Sequence, residues 1–139
     1  PGEAQKQKQT EDFFSIFREL DHQRIPLVLL PGNHDIGNQP PAESVAAYRR
    51  DFGDDYFSFW TGGVMFIVIN VQYYKDPSAA AELAREHDAW IDAQLEEVRR
   101  EADRYKHVIV FQHIPFFLRD INEPDDWVVS GVLKRFLFF

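Results

Sequence analysis

Four side chains in two stretches of the chain have the chemistry of metal binding and proton transfer. Asn33, His34 and Asp35 follow Gly32 in a Gly-Asn-His-Asp run, and His113 lies far downstream. An amide oxygen is a ligand that hard divalent cations accept, and an imidazole can bind a metal or exchange a proton near neutral pH. A neighbouring carboxylate can orient an imidazole and favour its protonated form. These residue types therefore predict a site for metal-assisted acid–base chemistry.

Each stretch comes directly after a short apolar run. Residues 26–30 precede the Gly-Asn-His-Asp run, and residues 107–111 precede His113. Continuous apolar runs of this length are typical of strands covered on both faces, and ligands of open α/β sheets bind beyond the carboxyl ends of such strands. We therefore expect two buried strands that place Asn33, His34 and His113 on one rim. We also expect the glycine before Asn33 to adopt φ values that other residues avoid.

Both motifs resemble those of the calcineurin-like metallophosphoesterases. The resemblance is carried by the Gly-Asn-His-Asp run with the downstream Gln112-His113 pair, and it extends over about residues 10–126. Three longer runs make it more specific and resemble Ser/Thr protein phosphatases of that family: Ile25-Pro26-Leu27-Val28-Leu29, Asp54-Asp55-Tyr56-Phe57-Ser58-Phe59-Trp60 and Val110-Phe111-Gln112-His113-Ile114-Pro115. The resemblance implies an α/β fold that forms part of a four-layer α/β/β/α sandwich. It also implies two divalent metal ions and a phosphoprotein substrate.

The family's site roles transfer to this sequence residue by residue. The resemblance makes Asn33 and His113 ligands of one metal ion, His34 the general acid that protonates the leaving oxygen, and Asp35 the partner of His34. Imidazole, amide and carboxylate ligands are compatible with manganese, iron, zinc or magnesium. Each residue also has a structural alternative. The Asn-His pair could form a turn that satisfies backbone groups, Asp35 an Asx turn, and His113 a core histidine at a strand end.

Three other motifs of the family are absent from the sequence. These are an Asp-x-His, a Gly-Asp-x-x-Asp before the Asn-His pair, and a Gly-His-x-His near the end of the domain. Gly-Asp occurs at Gly53-Asp54, which follows Asn33 and cannot replace the bridging carboxylate. We therefore expect residues 1–139 to be the central portion of one phosphoesterase domain, truncated at both ends, and the apolar tail 132–139 agrees with this expectation.

Two hypotheses follow for the activity of the chain. In the first, a longer parent protein is a metal-dependent phosphoesterase, a Ser/Thr phosphoprotein phosphatase, and this segment by itself is inactive. In the second, the chain exists as a catalytically inactive product that acts at most as a binding module. A two-metal site needs more ligands than the segment supplies. The first hypothesis therefore predicts that the translated genomic sequence has Gly-Asp-x-x-Asp in frame before residue 1 and Gly-His-x-His in frame after residue 139, and the second does not.

Composition narrows the class of protein. A length of 139 residues with 45% hydrophobic side chains allows one domain with a core. The net charge of −8 argues against general binding to nucleic acid or to an anionic membrane, since both are negatively charged. The chain has no cysteine, which excludes disulfides and thiol catalysis and is compatible with a cytoplasmic location. Its polar start and the lack of a long apolar run predict neither a signal peptide nor a membrane span.

Apolar periodicity predicts the remaining elements. We expect an amphipathic helix that begins near Thr10, and a second helix that is opened by Pro40-Pro41 and ended by Gly53. Strands at 56–60 and 64–71 should form a hairpin around two glycines. A long helix should cover residues 79–105, and residues 120–126 predict a mobile acidic loop.

The other polar residues are more typical of structural roles. His22 should lie at a helix end, His87 on the apolar face of the long helix, and His107 at the start of a strand. Asn70 could face the crevice, although ending a strand is the simpler interpretation. The 32–37 stretch lacks the Lys-Ser/Thr pair of a phosphate loop and has Asn38-Gln39 instead, which excludes nucleotide binding by that route.

Overall fold

A computed structural model describes residues 2–120 of the chain. This part contains both helices and strands, which agrees with the expected α/β class. In chain order the elements are α1 (Glu3–His22), α2 (Asn33–Ile36), α3 (Ala42–Phe52), β1 (Phe57–Thr61), β2 (Val64–Val68), α4 (Gln72–Lys75), α5 (Ala81–Arg100) and β3 (His107–Phe111). The tail 132–139 and all of the 120–126 loop except Asp120 lie outside the described residues.

The sheet has three strands in the order β1-β2-β3. Strands β1 and β2 form an antiparallel hairpin, with Phe59 opposite Phe66. Gly62 and Gly63 connect them with φ values of 59° and 82°, which suit a two-residue turn of the kind that matches the strand twist. Strand β3 runs parallel to β2, and α4 and α5 form the connection between them. The predicted hairpin is confirmed.

The main core lies between α5 and one face of the sheet. Met65 and Ile67 of β2 point toward this face and are buried with Ile91 and Leu95 of α5. Burying an aliphatic side chain of this size stabilises a fold by about 1.5–3 kcal/mol. The opposite face carries a row of partly exposed phenylalanine rings in successive contact: Phe57, Phe59, Phe66 and Phe111. The sheet is therefore apolar on both faces, and α5 covers one of them.

A second, smaller cluster joins the short helices. It contains Ile36 of α2, Val45 and Tyr48 of α3, and Tyr73 of α4. This packing fixes α2 against two other helices, although α2 is a single turn. The cluster therefore holds the Gly-Asn-His-Asp run in place.

The predicted helices are present with shifted ends. The first begins at Glu3, earlier than the expected Thr10, and the last covers Ala81–Arg100 within the predicted 79–105. Helix α3 ends at Gly53, whose φ of 94° favours glycine, as the sequence predicts. Across residues 2–120, no helix combines the length and the apolar character needed to cross a membrane.

The prediction of two buried strands is wrong in part. Residues 26–30 form no strand, and Leu27 and Val28 are exposed. Strand β3 is present as predicted, yet Val108, Ile109 and Phe111 are exposed. Ile109 and Phe111 lie on the partly exposed sheet face opposite α5, and among the described residues β3 is also an edge strand, paired with β2 alone. An apolar run shows that its side chains favour a buried position. They become buried only where other segments cover both faces of the strand.

Candidate functional site

The fold brings together the two residues that the sequence predicts as ligands of one metal ion. Asn33 is the first residue of α2, and His113 follows β3 by two residues. The His113 Nε2 atom lies 3.0 Å from the Asn33 Oδ1 atom. The two atoms are within hydrogen-bond distance, and the tautomer of His113 that carries its proton on Nε2 would donate to the amide oxygen. The expectation that both side chains share one rim is confirmed for this pair.

Gly32 makes this approach possible. The imidazole of His113 packs against the Gly32 Cα, and a Cβ atom added there would lie 3.0 Å from the ring Cε1 atom. The backbone of Gly32 has φ −105° and ψ 176°, values that any residue adopts. The expectation that this glycine uses forbidden φ values is therefore wrong. What the position requires is the absence of a side chain.

Asp35 stabilises the turn that presents Asn33. Its Oδ2 atom accepts a hydrogen bond of 2.7 Å from the Gly32 backbone N–H. This N–H is among those at a helix start that have no partner within the helix, so the carboxylate caps α2. Burial raises the pKa of the Tyr48 phenol, and the nearby negative charge of Asp35 raises it further. The predicted pairing of Asp35 with His34 stays a prediction.

His34 lies beside the Asn33–His113 pair in sequence and is exposed to solvent. Ile36, two residues further on, is buried in the small cluster and anchors the helix that carries His34. An exposed imidazole on an anchored turn can reach a bound substrate without crossing the core. The location is therefore compatible with the predicted role in proton transfer.

The chemistry of the Asn33–His113 pair fits two of the ligands of a divalent cation. Two adjacent ligands with bonds of about 2.1 Å at a right angle are about 3.0 Å apart. The amide oxygen and the imidazole nitrogen are 3.0 Å apart, so one cation could bind both. Within residues 2–120 no cluster of three or more His, Cys, Asp or Glu side chains could hold a metal. The described residues could therefore supply at most part of a coordination sphere.

A buried polar network lies behind the small cluster and centres on Asp55, which is 1% exposed. Its carboxylate accepts hydrogen bonds from Arg49 Nε at 2.6 Å, Asn70 Nδ2 at 2.8 Å and the Tyr73 hydroxyl at 3.0 Å. Burial by itself would lower the pKa of the Arg49 guanidinium, but the hydrogen bond and charge of Asp55 raise it. Sequence reasoning gave Asp55 no role, because no periodicity distinguishes it from the exposed Asp54 beside it.

Asn70 belongs to this network and has a structural role. It is fully buried, its backbone N–H donates to His87 Nε2 at 3.2 Å, and its Oδ1 accepts from the Gln72 N–H at 3.2 Å. The simpler interpretation of Asn70, at a strand end, therefore agrees with its contacts. His87 is buried on the core side of α5, as predicted. His22 ends α1 and His107 begins β3, and both are exposed, as their structural interpretation requires.

Comparison with known proteins gives a clear set of relatives. The protein named Serine/threonine-protein phosphatase CPPED1 is 50% identical to this chain over 127 residues in Homo sapiens and in Bos taurus. The protein of the same name in Danio rerio is 42% identical over 127 residues. Each match covers 91% of this chain and 40% of the relative, so the chain spans about 40% of the length of the curated relatives that it matches. No protein-family model matches the chain, and no solved structure matches it significantly.

The match extends over 127 of the 139 residues, so the matched region includes both motifs of the Asn33–His113 pair. The chain is therefore a homologue of the CPPED1 phosphatases, which confirms its resemblance to the calcineurin-like phosphoesterases.

Proposed function

We propose that this chain supplies part of the active site of a metal-dependent phosphoesterase, a Ser/Thr phosphoprotein phosphatase in the parent protein. The observation that carries the proposal is the 3.0 Å separation of Asn33 Oδ1 and His113 Nε2, two ligand atoms brought together from distant parts of the sequence. The relatives are named serine/threonine-protein phosphatases, which supports the reaction class. The substrate would be a phosphorylated serine or threonine side chain of a protein.

In this proposal Asn33 and His113 hold one of two divalent ions. When bound, such a pair of ions supplies an activated water and neutralises the phosphate oxygens. Asn33 is neutral, so it orients its ion without lowering the positive charge that the phosphate meets. His34 donates a proton to the leaving alkoxide oxygen, with Asp35 as its partner. Asp35 also holds the turn on which His34 is presented, through its hydrogen bond with the Gly32 N–H.

The proposal includes the four-layer α/β/β/α sandwich of the family. The row of phenylalanine rings on the sheet face opposite α5 supports it, because that face is apolar and partly exposed. A second sheet packed there would remove the rings from water. In the complete sandwich, the exposed edge of β3 would also be covered.

The proposal is tested by separating metal binding from proton transfer in the parent protein. We expect Asn33→Ala and His113→Ala to lower the bound metal below the full complement. His34→Ala and Asp35→Asn should leave the metal content nearly unchanged and slow hydrolysis, since general-acid help contributes about 10²–10⁴-fold. Elemental analysis of the purified variants measures the metal. His22→Ala, which removes an exposed imidazole at the end of α1, is the matched control and should change neither quantity.

The leaving group gives a second readout of His34. A phosphoserine peptide has a poor leaving group and needs the proton, whereas nitrophenyl phosphate has a good one and needs it less. His34→Ala should therefore slow the peptide reaction more. Equal losses on both substrates, or loss of metal in His34→Ala with full metal in Asn33→Ala, would show that these roles are misassigned.

The 139-residue chain serves as the reference for the binding-module hypothesis. With two ligands of one ion among its described residues, it should show no manganese-stimulated hydrolysis of nitrophenyl phosphate above background. Turnover that manganese stimulates and a chelator abolishes would contradict this. Inactivity of the parent protein as well would favour the binding module over the phosphatase.

A further inference from the structure

Gly32 lies against the edge of the His113 imidazole that carries both ring nitrogens. A Cβ atom at this position would be 3.0 Å from the ring Cε1, 3.1 Å from Nδ1 and 3.1 Å from Nε2. These are three consecutive ring atoms, so the whole nitrogen-bearing edge of the ring rests on the glycine. Carbon atoms in favourable contact are about 3.5–4.0 Å apart, so an alanine side chain would displace the ring by a few tenths of an ångström.

The backbone gives no other reason for glycine here. Gly32 is the N-cap of α2 with extended φ and ψ, a conformation open to every residue. Gly2 is the N-cap of α1 with φ −66° and ψ 163°, and a Cβ atom there would meet nothing within 4 Å. The two glycines thus have the same helix position and the same class of backbone conformation. Gly32 is buried and Gly2 is exposed, and of the two only Gly32 would place a Cβ atom against another side chain, that of His113.

We propose that Gly32 is a positioning residue whose missing side chain forms the seat of the His113 imidazole and aims its Nε2 atom at Asn33. The seat is needed because His113 is exposed, so little else restrains the ring. If the seat is filled, the ring can rotate into solvent without disturbing the core. The fold would survive, and the 3.0 Å contact with Asn33 Oδ1 would be lost.

The functional meaning of the seat rests on the proposed function, in which His113 is a metal ligand, but the steric relation does not. The two parts can therefore be tested separately. The first test uses the 139-residue chain without metal, and the second uses manganese binding by the parent protein.

The first experiment is ¹⁵N nuclear magnetic resonance of the histidine rings in the 139-residue chain. Gly32→Ala should shift the His113 Nε2 signal away from its hydrogen-bonded position and leave the signals of the buried His87 unchanged. Gly2→Ala is the matched control, because it makes the same chemical change at a helix N-cap, and it should leave both rings unchanged. An unshifted His113 signal in Gly32→Ala would overturn the proposal.

A cycle of variants covers the case in which Gly32→Ala destabilises the chain. His113→Ala removes the ring that occupies the seat, so Gly32→Ala should lower the melting temperature less in the His113→Ala background than in the natural chain. The proposal is supported if the double variant folds where Gly32→Ala alone does not. It is overturned if Gly32→Ala has the same effect, including loss of folding, in both backgrounds.

The second experiment is calorimetric titration of the parent protein with Mn²⁺. Changes that misorient a metal ligand weaken affinity or activity by about 10–100-fold, and we expect a loss of this size for Gly32→Ala and none for Gly2→Ala. A shifted His113 signal with unchanged Mn²⁺ affinity would confirm the seat and contradict His113 as a ligand. An unshifted signal with full Mn²⁺ affinity would overturn the seat and leave the proposed function standing.

Discussion

Replacement of Asp55 by alanine should be among the most destabilising single changes in the described part of the chain. The Asp55 carboxylate is buried and accepts from three donors on three different segments. Two of these donors, Asn70 Nδ2 and the Tyr73 hydroxyl, belong to side chains that are themselves buried. Removal of the carboxylate would leave both donors without an acceptor and without water.

The expected cost follows from the same contacts. An unsatisfied buried donor costs about 1–3 kcal/mol, and removal of one member of a buried ion pair costs about 3–5 kcal/mol. These costs overlap, and the guanidinium of Arg49 is 35% exposed, so water can replace part of what it loses. We therefore expect Asp55→Ala to lower the free energy of unfolding by about 4 kcal/mol. For a domain of this size that corresponds to a melting temperature lower by about 12–20 °C.

Asp51→Ala is the matched control for this prediction. Asp51 also pairs with an arginine, since Arg50 Nε lies 2.9 Å from its Oδ1, but the Arg50 side chain is 68% exposed and that of Asp51 is 35% exposed, against 1% for Asp55. Exposed pairs of this kind contribute about 0–1 kcal/mol. Thermal unfolding of both variants, followed by circular dichroism, should separate them widely. Equal melting temperatures for Asp55→Ala and Asp51→Ala would refute the argument that the buried network stabilises the small helices.

Two further predictions concern alkaline pH and the sheet. Burial and the Asp55 charge raise the pKa of Tyr73, so this phenol stabilises the fold below its ordinary pKa of about 10 and loses that contribution as the pH rises further. Tyr73→Phe should therefore flatten the fall in melting temperature above pH 10, and an unchanged slope would contradict this. Ile67→Ala should lower the free energy of unfolding by about 2–5 kcal/mol, because Ile67 is fully buried under α5. Ile109→Ala should lower it by less than about 1 kcal/mol, because Ile109 is 42% exposed. Urea unfolding measures both, and similar costs would mean that β3 is as buried as its sequence suggests.

Much of the local structure could be predicted from the sequence because its causes are local. The hairpin follows from two apolar runs around Gly62-Gly63, and the end of α3 follows from Gly53, since these glycines adopt positive φ. The burial of His87 follows from its place in the apolar period of α5. In each case the residues that cause the feature are close together in the sequence.

The candidate site could be predicted only in part. The residue types of Asn33 and His113 identify them as possible ligands. The apolar run before His113 predicts the strand that places this residue at a sheet edge. The true reason for Gly32 could not be read from the sequence, because it is contact with a ring that lies far away along the chain. The same holds for Asp55, whose role depends on donors from α3, α4 and the end of β2.

The sequence by itself determined which residues could do chemistry and which segments would be helical or extended. The tertiary structure decided which of those residues meet, that Gly32 seats the His113 ring, and that β3 is an exposed edge while residues 26–30 form no strand. The physical reason is that propensity and periodicity act between neighbours in the chain. Burial, hydrogen-bond partners and steric contact depend instead on segments that only the folded backbone brings within a few ångströms of one another.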